Sequence, residues 1–495
     1  MSVSHHTGPP QPDGRPPADR SEGVELAGMS DAPSITDRPP VPYSISLAVG
    51  TGSLLQPLNS SMIAVALVTI ATELHIDGGI SWLISGLYLA TAVAAPTAGR
   101  LADLYGARRV FFGGLVLVAV GGALGPLAPS LPGLIVARVV LGLGTAAQYP
   151  AAMAIIRARA ERRQEDASKA LAVLGVCAQV SVAFGPTLGG LLVSGLGWQA
   201  IFWINLPLAL AAGVWVWRVT DPSDQVRAPT GAAGQSPWSR LDAVGLLLFA
   251  ATLTLVMLFL MSLVDRPAWW WLAAAAPVGA ALVGRELRAR EPFLDLRMLR
   301  HRPRLVTIFA RQLLVSTAFY SVFYVLPQWL EGVRSYTPEQ SGLLVVPIAA
   351  VGVVSTVLAS AWIRRGSLVP TLLVGNVSLI GAGVLIALTL TVSTHWWALL
   401  LVAALLGVPN GFNNMANQNE LYSVAGDEIG AASGLLRTTQ YVGANLSAAL
   451  IEVLVAGSIS DTGLHRVGWG IAAISALLLL VTLTGLRGRR GSDGP

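Results

Sequence analysis

Fourteen stretches of this chain are apolar and long, at 45–70, 80–98, 110–128, 131–156, 169–193, 199–217, 241–263, 268–283, 305–330, 341–362, 368–391, 395–414, 431–457 and 467–486. A segment needs about 20 apolar residues to cross a bilayer as a helix. In hydrocarbon every backbone N–H and C=O must be satisfied within the segment, so runs of this kind fold as α-helices. The expected fold class is therefore all-α, a polytopic membrane protein with 14 transmembrane helices. Charge agrees with that reading. Only 12% of the 495 residues are Asp, Glu, Lys or Arg, where a soluble domain carries about 25%.

The segments between the runs set an orientation. With the amino terminus inside, 26 of the 32 Lys and Arg residues fall on cytoplasmic segments and 3 on external loops, leaving Arg138, Arg311 and Arg437 within apolar runs. The positive-inside rule then puts both termini in the cytoplasm of a multi-pass protein of the plasma (inner) membrane. Residues 1–43 hold nine prolines and six acids without apolar periodicity, so they are expected to form a disordered cytoplasmic tail. The longest inside linkers, 218–240 and 284–304, isolate a helix pair at 241–283 between a six-helix bundle at 44–217 and another at 305–486, with a short cytoplasmic tail at 487–495. The lone Cys177 excludes disulfide staples.

Several motifs sit on this frame. Between runs 2 and 3 stands GRLADLYGARR, in which Gly99, Asp103, Gly106, Arg108 and Arg109 suit a tight, charged loop that acts as a gating latch. Run 5 carries GPTLGG, where Pro186 kinks the helix while Gly185, Gly189 and Gly190 admit close backbone approach. Arg138 opens RVVLGLGTAA in run 4; WQAIFWINLP begins at Trp198 and YTPEQSGLLVVP at Tyr336. Together these strings resemble the major facilitator superfamily, and with fourteen runs they look like its fourteen-helix drug:proton antiporter family. The resemblance implies two pseudo-symmetric bundles alternating access around a central cavity lined by helices 1, 4, 9 and 12.

One departure matters for coupling. Where the family's first helix usually carries an aspartate, this chain has Asn59, which cannot titrate. Gln56, Asn59 and Ser60 still give helix 1 a mostly polar face for the cavity. Ionisable residues at membrane depth are a functional hypothesis by default, and away from their ends the runs hold Arg138, Arg311, Arg437 and one acid, Glu452. Thr438, Tyr441, Asn445 and Glu452 share a stripe of helix 13, so Glu452 is the proton-coupling candidate; the alternative is an interfacial glutamate that snorkels or pairs with an arginine. Further cavity candidates are Arg138, Gln148, Tyr320, Tyr324 and Gln328, with Asn410, Asn413 and Asn414 at the inner end of helix 12. Arginines outnumber acids in the runs, so neutral or anionic amphipaths suit the cavity at least as well as cations.

Other classes are poorly supported. No phosphate loop is present, and the six histidines are scattered without metal-ligand spacing, so neither a cofactor nor a metal is expected. The basic residues follow membrane sidedness and give no reason to expect nucleic acid. An enzyme would need a nucleophile with a base, or paired carboxylates, at membrane depth. The expected function is export of small amphipathic compounds in exchange for protons, by a monomer in the lipid bilayer. The rival reading is a proton-independent facilitator or importer, and a membrane-embedded enzyme ranks behind both.

Overall fold

A computed structural model describes residues 39–221, 242–262, 267–289, 292, 296–366, 368–425, 429–455 and 459–492. Most of the expected amino-terminal tail, nearly all of linker 218–240, part of linker 284–304 and the last residues of the 487–495 tail lie outside the described residues. Each apolar run contains a helix. In chain order they are α1 (Tyr43–Met62), α2 (Trp82–Tyr105), α3 (Ala107–Leu127), α4 (Leu131–Arg163), α5 (Ser168–Leu196), α6 (Ala200–Val219) and α7 (Ala243–Ser262). They continue as α8 (Trp269–Arg288), α9 (Pro303–Gly332), α10 (Pro338–Arg364), α11 (Leu368–Thr389), α12 (Trp396–Ala425), α13 (Ile429–Val455) and α14 (Asp461–Ser492).

Among the described residues ten helices are long and apolar enough to cross a membrane, and eleven if the bent pair Tyr43–Val65 and Leu67–Glu73, which turns by 57°, counts as one span. The described residues therefore establish an all-helical multi-pass protein with fewer certain spans than the fourteen expected. Helix α8 ends in Arg285, Glu286 and Arg288, and α13 carries Arg437, Gln440, Asn445 and Glu452, so both give part of their length to polar groups.

The ends of α1, α4 and α13 serve as landmarks. The end at which α1 begins is called proximal here, and the end at which α13 finishes distal. The segment from Gly99 to Arg109 proves not to be a loop with two glycine turns. Helix α2 continues to Tyr105, Gly106 alone turns the chain at φ +92°, and α3 starts at Ala107. Only a residue without a Cβ takes that backbone conformation without strain. The distal start of α10 is fixed by a capping box: Thr337 Oγ1 accepts from Gln340 N at 3.2 Å, and Gln340 Oε1 accepts from Thr337 N at 3.1 Å, with Pro338 at the first helical position. The last residues before α1 are tied down, since Val41 N donates to Asp166 O at 3.1 Å and Asp166 N to Pro39 O at 2.8 Å.

Two seams join the helices before the 218–240 linker to those after it. Helix α5 packs on α1 and on α10, while α2 packs on α4 and on α13. At the first seam the GPTLGG string supplies close approach more than a kink. A Cβ at Gly189 would lie 2.9 Å from Met62 Cα, and one at Gly190 would lie 2.8 Å from Glu339 Cα. From the other side, a Cβ at Gly342 would come within 3.1 Å of Thr187 Cα. Small residues at facing positions let the backbones touch, which is how helices gain packing energy without a hydrophobic drive. Helices α7 and α8 pack together, and α7 lies along α2 and α13, flanking the second seam.

Candidate functional site

The region where the seams meet is built from tyrosines and arginines. Tyr324 of α9 crosses the molecule, its hydroxyl donating to Ser60 O of α1 at 3.1 Å and sharing a hydrogen bond with the Tyr88 hydroxyl of α2 at 3.0 Å. The Tyr88 ring stands 5.5 Å from Tyr320 and 6.1 Å from Tyr441, and Tyr320 stacks on Tyr324 at 5.9 Å. Below Tyr441, on the next helical turn of α13, Arg437 holds its guanidinium 4.3 Å over the Tyr149 ring of α4. Above, Arg138 is 1% exposed; its Nε donates to Leu83 O at 2.8 Å and its Nη1 to Asn59 O at 3.1 Å. Helices α2 and α13 thus contribute as much to the centre as α4 and α9, whereas the resemblance implied α1, α4, α9 and α12.

Asn59 does not line this centre. Its Nδ2 donates to Asn205 Oδ1 of α6 at 2.6 Å, and Asn205 Nδ2 returns a bond to Asn59 Oδ1 at 3.0 Å. Both residues are buried, so the amide pair ties α1 to α6. Gln148 also turns away, donating to Phe111 O of α3 at 3.2 Å. Ser60 spends its hydroxyl on Pro57 O at 2.9 Å and offers its carbonyl to Tyr324, while Gln56 is half-buried one turn proximal. Gln328 Nε2 donates to Tyr324 O within α9 at 2.8 Å. The α12 amides face in several directions. Asn414 accepts from Gln312 of α9 at 2.9 Å and donates to Asn410 Oδ1 at 2.8 Å, whereas Asn413 is buried against Gly375 of α11.

Glu452 lies at the distal end and takes a hydrogen bond from Ser81, the residue preceding α2, so it links the two sides of the second seam. One turn distal of Tyr441, Asn445 is oriented so that its amide donates to Ser85 O at 3.0 Å and accepts from Leu89 N at 3.1 Å. Glu452 is not the only acid inside the helices. Glu420 of α12, 6% exposed, forms a buried ion pair with Arg311 of α9, and Glu286 of α8 is fully buried beside Asp242. Glu331, near the distal end of α9, has a buried Oε1 with no hydrogen-bond partner. Sequence reasoning missed Glu420 because the apolar run ends at 414 while the helix continues to Ala425. Asn205, a lone amide in an apolar run, was a detectable signal; Tyr88, set among Leu and Ala, was not.

At the proximal end, Arg108 Nη2 donates to Trp217 O near the end of α6 at 3.3 Å, and its guanidinium lies 5.7 Å over Phe112. Cations are favoured at helix carboxyl ends. Arg109 is exposed, and the Asp103 side chain lies outside the described residues. Gly99 sits inside α2 with only Pro150 Cβ, at 4.0 Å, near the place a Cβ would take. Among the described residues, no group of three or more His, Cys, Asp or Glu is placed to hold a metal. A separate groove of about 490 Å³ on the outer faces of α3 and α6, lined by Phe112, Leu115, Leu210 and Trp217 among others, is almost wholly apolar and offers contact for lipid chains.

The sequence profile of the Major Facilitator Superfamily matches residues 49–448. The chain belongs to the major facilitator superfamily. A transporter of the same superfamily from Bacillus subtilis (strain 168), YwoD, is 33% identical over 89% of this chain and 96% of its own length. The tetracenomycin C resistance and export protein of Streptomyces glaucescens is 30% identical over 85% of this chain and 77% of its own. Among solved structures, an auto-inhibited peptide transporter of the POT family superposes with a TM-score of 0.64 at 19% identity, covering 92% of this chain and 98% of that one, a likeness of fold alone. This superfamily member is accordingly a multi-pass membrane transporter with drug-resistance and export proteins among its relatives.

Proposed function

We propose that this transporter exports small amphipathic compounds across the plasma membrane by alternating access, in exchange for protons. The observation that carries the reading is the Tyr324 bridge. One side chain from the second half closes on Ser60 and Tyr88 of the first, directly above a ring of tyrosines. Aromatic rings with hydroxyl handles suit ligands that are apolar in body and polar at one end. A bridge of two neutral hydrogen bonds costs little to break, as a gate must. The relative that exports tetracenomycin C supports the direction and the class of substrate. In this reading the chain acts as a monomer of fourteen helices, two bundles of six and an inserted pair, with both ends cytoplasmic.

Proton coupling is assigned to Glu452. Its carboxylate reaches across the distal end to Ser81, where a proton arriving from outside meets it before the centre. A potential of 100 mV contributes about 2.3 kcal/mol per charge moved, enough to drive roughly fifty-fold accumulation. The test is proton release from everted vesicles, acidified inside and challenged with amphipaths of different charge, with Glu452→Gln and Asp103→Asn beside the wild type. Release seen in the wild type and lost in Glu452→Gln supports the assignment. Compound flux without proton movement would replace the antiporter with a facilitator, and Asn59, already committed to Asn205, would account for the missing coupling.

A further inference from the structure

The two arginines of the centre have no acid to answer them. Arg138 uses Nε and Nη1 on backbone carbonyls, and its Nη2 is buried without a hydrogen-bond partner. Arg437 faces an aromatic ring in place of a carboxylate. Neither takes part in an ion pair among the described residues. Four acids of the described helices are engaged elsewhere, and Glu331, with one oxygen unpartnered, sits two turns distal of Tyr324 on α9. Glu420 is held by Arg311, Glu452 by Ser81, Asp461 by the Trp329 indole at 2.8 Å and Glu73 by the Trp198 indole at 2.8 Å. A guanidinium keeps its charge at any working pH, and an uncompensated charge at membrane depth is expensive to hold.

Between the guanidiniums lie Tyr88, Tyr320, Tyr324 and Tyr441, with Tyr149 under Arg437. Arg138 holds Asn59 O, next to the Ser60 O that receives Tyr324, and Arg437 lies one helical turn from Tyr441, so one aromatic cluster connects both charges. We propose that the centre selects aromatic anions: flat ring systems bearing a carboxylate or phenolate, with the rings among the tyrosines and the anionic oxygens on the guanidiniums. An anion supplies the missing counter-charge, and charge-assisted hydrogen bonds to a guanidinium are about twice as strong as neutral ones. A cation of the same shape meets two like charges. A neutral one gains the stacking alone. This proposal rests on the exporter reading and names its substrate class.

The experiment uses the full chain in lipid nanodiscs and two dyes with one xanthene frame, anionic fluorescein and cationic rhodamine 123, read by fluorescence anisotropy. Wild type is expected to bind fluorescein about tenfold more tightly than rhodamine 123. Arg437→Gln should lower fluorescein affinity about tenfold and tighten rhodamine 123 binding, while Arg437→Lys keeps most of the anion affinity. Arg138→Gln is the second variant, placed after Arg437→Gln because Arg138 also anchors two carbonyls. Equal affinity for the dyes, preference for the cation, equal loss of both in Arg437→Gln, or binding of neither to protein with an unaltered thermal melt each overturns the proposal. Flux in proteoliposomes separates the two readings. Transport of rhodamine 123 without fluorescein binding keeps the exporter and removes the anion preference. Arg437-dependent fluorescein binding with no flux of either dye under any gradient keeps the preference and removes the exporter.

Discussion

Removing one partner of the Arg311–Glu420 pair would leave the other charged and buried between α9 and α12. Breaking such a pair costs about 3–5 kcal/mol, whereas exchanging both groups for apolar ones of similar volume is close to neutral. Glu420→Gln should therefore melt well below wild type in detergent, and Arg311→Met with Glu420→Leu should recover most of the loss. The sequence shows Arg311 plainly, because an arginine stands out in an apolar run, but hides its acid beyond the apparent end of α12. That helix continues because neighbouring helices, not lipid, receive its polar residues: Asn414 meets Gln312, and Asn417 Nδ2 donates to Gln312 Oε1 at 3.1 Å. Hydropathy measures fitness for lipid and undercounts a helix wrapped in protein. Asn59 was misplaced for a related reason. Its polarity and register are legible in α1, but the reciprocal bond from Asn205, 146 residues away, is a tertiary fact. A single hydroxyl offers a gentler probe. Tyr324→Phe removes the bonds to Ser60 O and the Tyr88 hydroxyl, each worth about 1 kcal/mol net. The distal-open population should rise several-fold, read as faster labelling of a cysteine placed at residue 60.

Helix α5 carries its meaning on two faces at once. Gly185 and Gly189 lie against Ser61 and Met62 of α1, while Gly190 and Pro186 lie against the first turns of α10. The unusual composition of GPTLGG is visible in the sequence, and kinking is the natural inference from its proline, yet the glycines do the positioning. Gly190→Ala puts a Cβ against backbone atoms of Pro338 and Glu339, which no rotamer change relieves. That variant should lose most of its transport while keeping helix content by circular dichroism, because it separates α5 from α10 without unfolding either. Gly342→Ala, across the same seam, should behave alike. The double variant should be scarcely worse than either single one, since the seam is already parted. The α2–α3 connection teaches the opposite lesson. Its glycines and charges promise a loop, but helix propensity carries α2 through Leu101, Ala102 and Leu104 to a one-residue turn at Gly106.

At the scale of the whole molecule, the distal side is held shut by contacts of unlike kinds: Ser81 with Glu452, Tyr324 with Ser60, and the glycine seam at Pro338. Replacing Ser81 and Glu452 by cysteine, in a chain whose Cys177 is changed to Ser, gives a reporter of that closure. Because this variant lacks the coupling carboxylate, the readout is downhill exchange of compound without a proton gradient: oxidation should arrest it and a reductant should restore it, since the two side chains already touch. Unimpaired flux through the oxidised protein would show that the distal ends of α2 and α13 need not part. The inserted helices add an asymmetry that the transport cycle must respect. Since α7 lies along α2 and α13, one of the two seams carries a permanent awning, while among the described residues neither α7 nor α8 packs to the same extent on α5 or α10. In the proposed cycle a compound dissolved among the lipids would meet one seam behind a porch and one without it, so the two lateral approaches to the centre would be unequal.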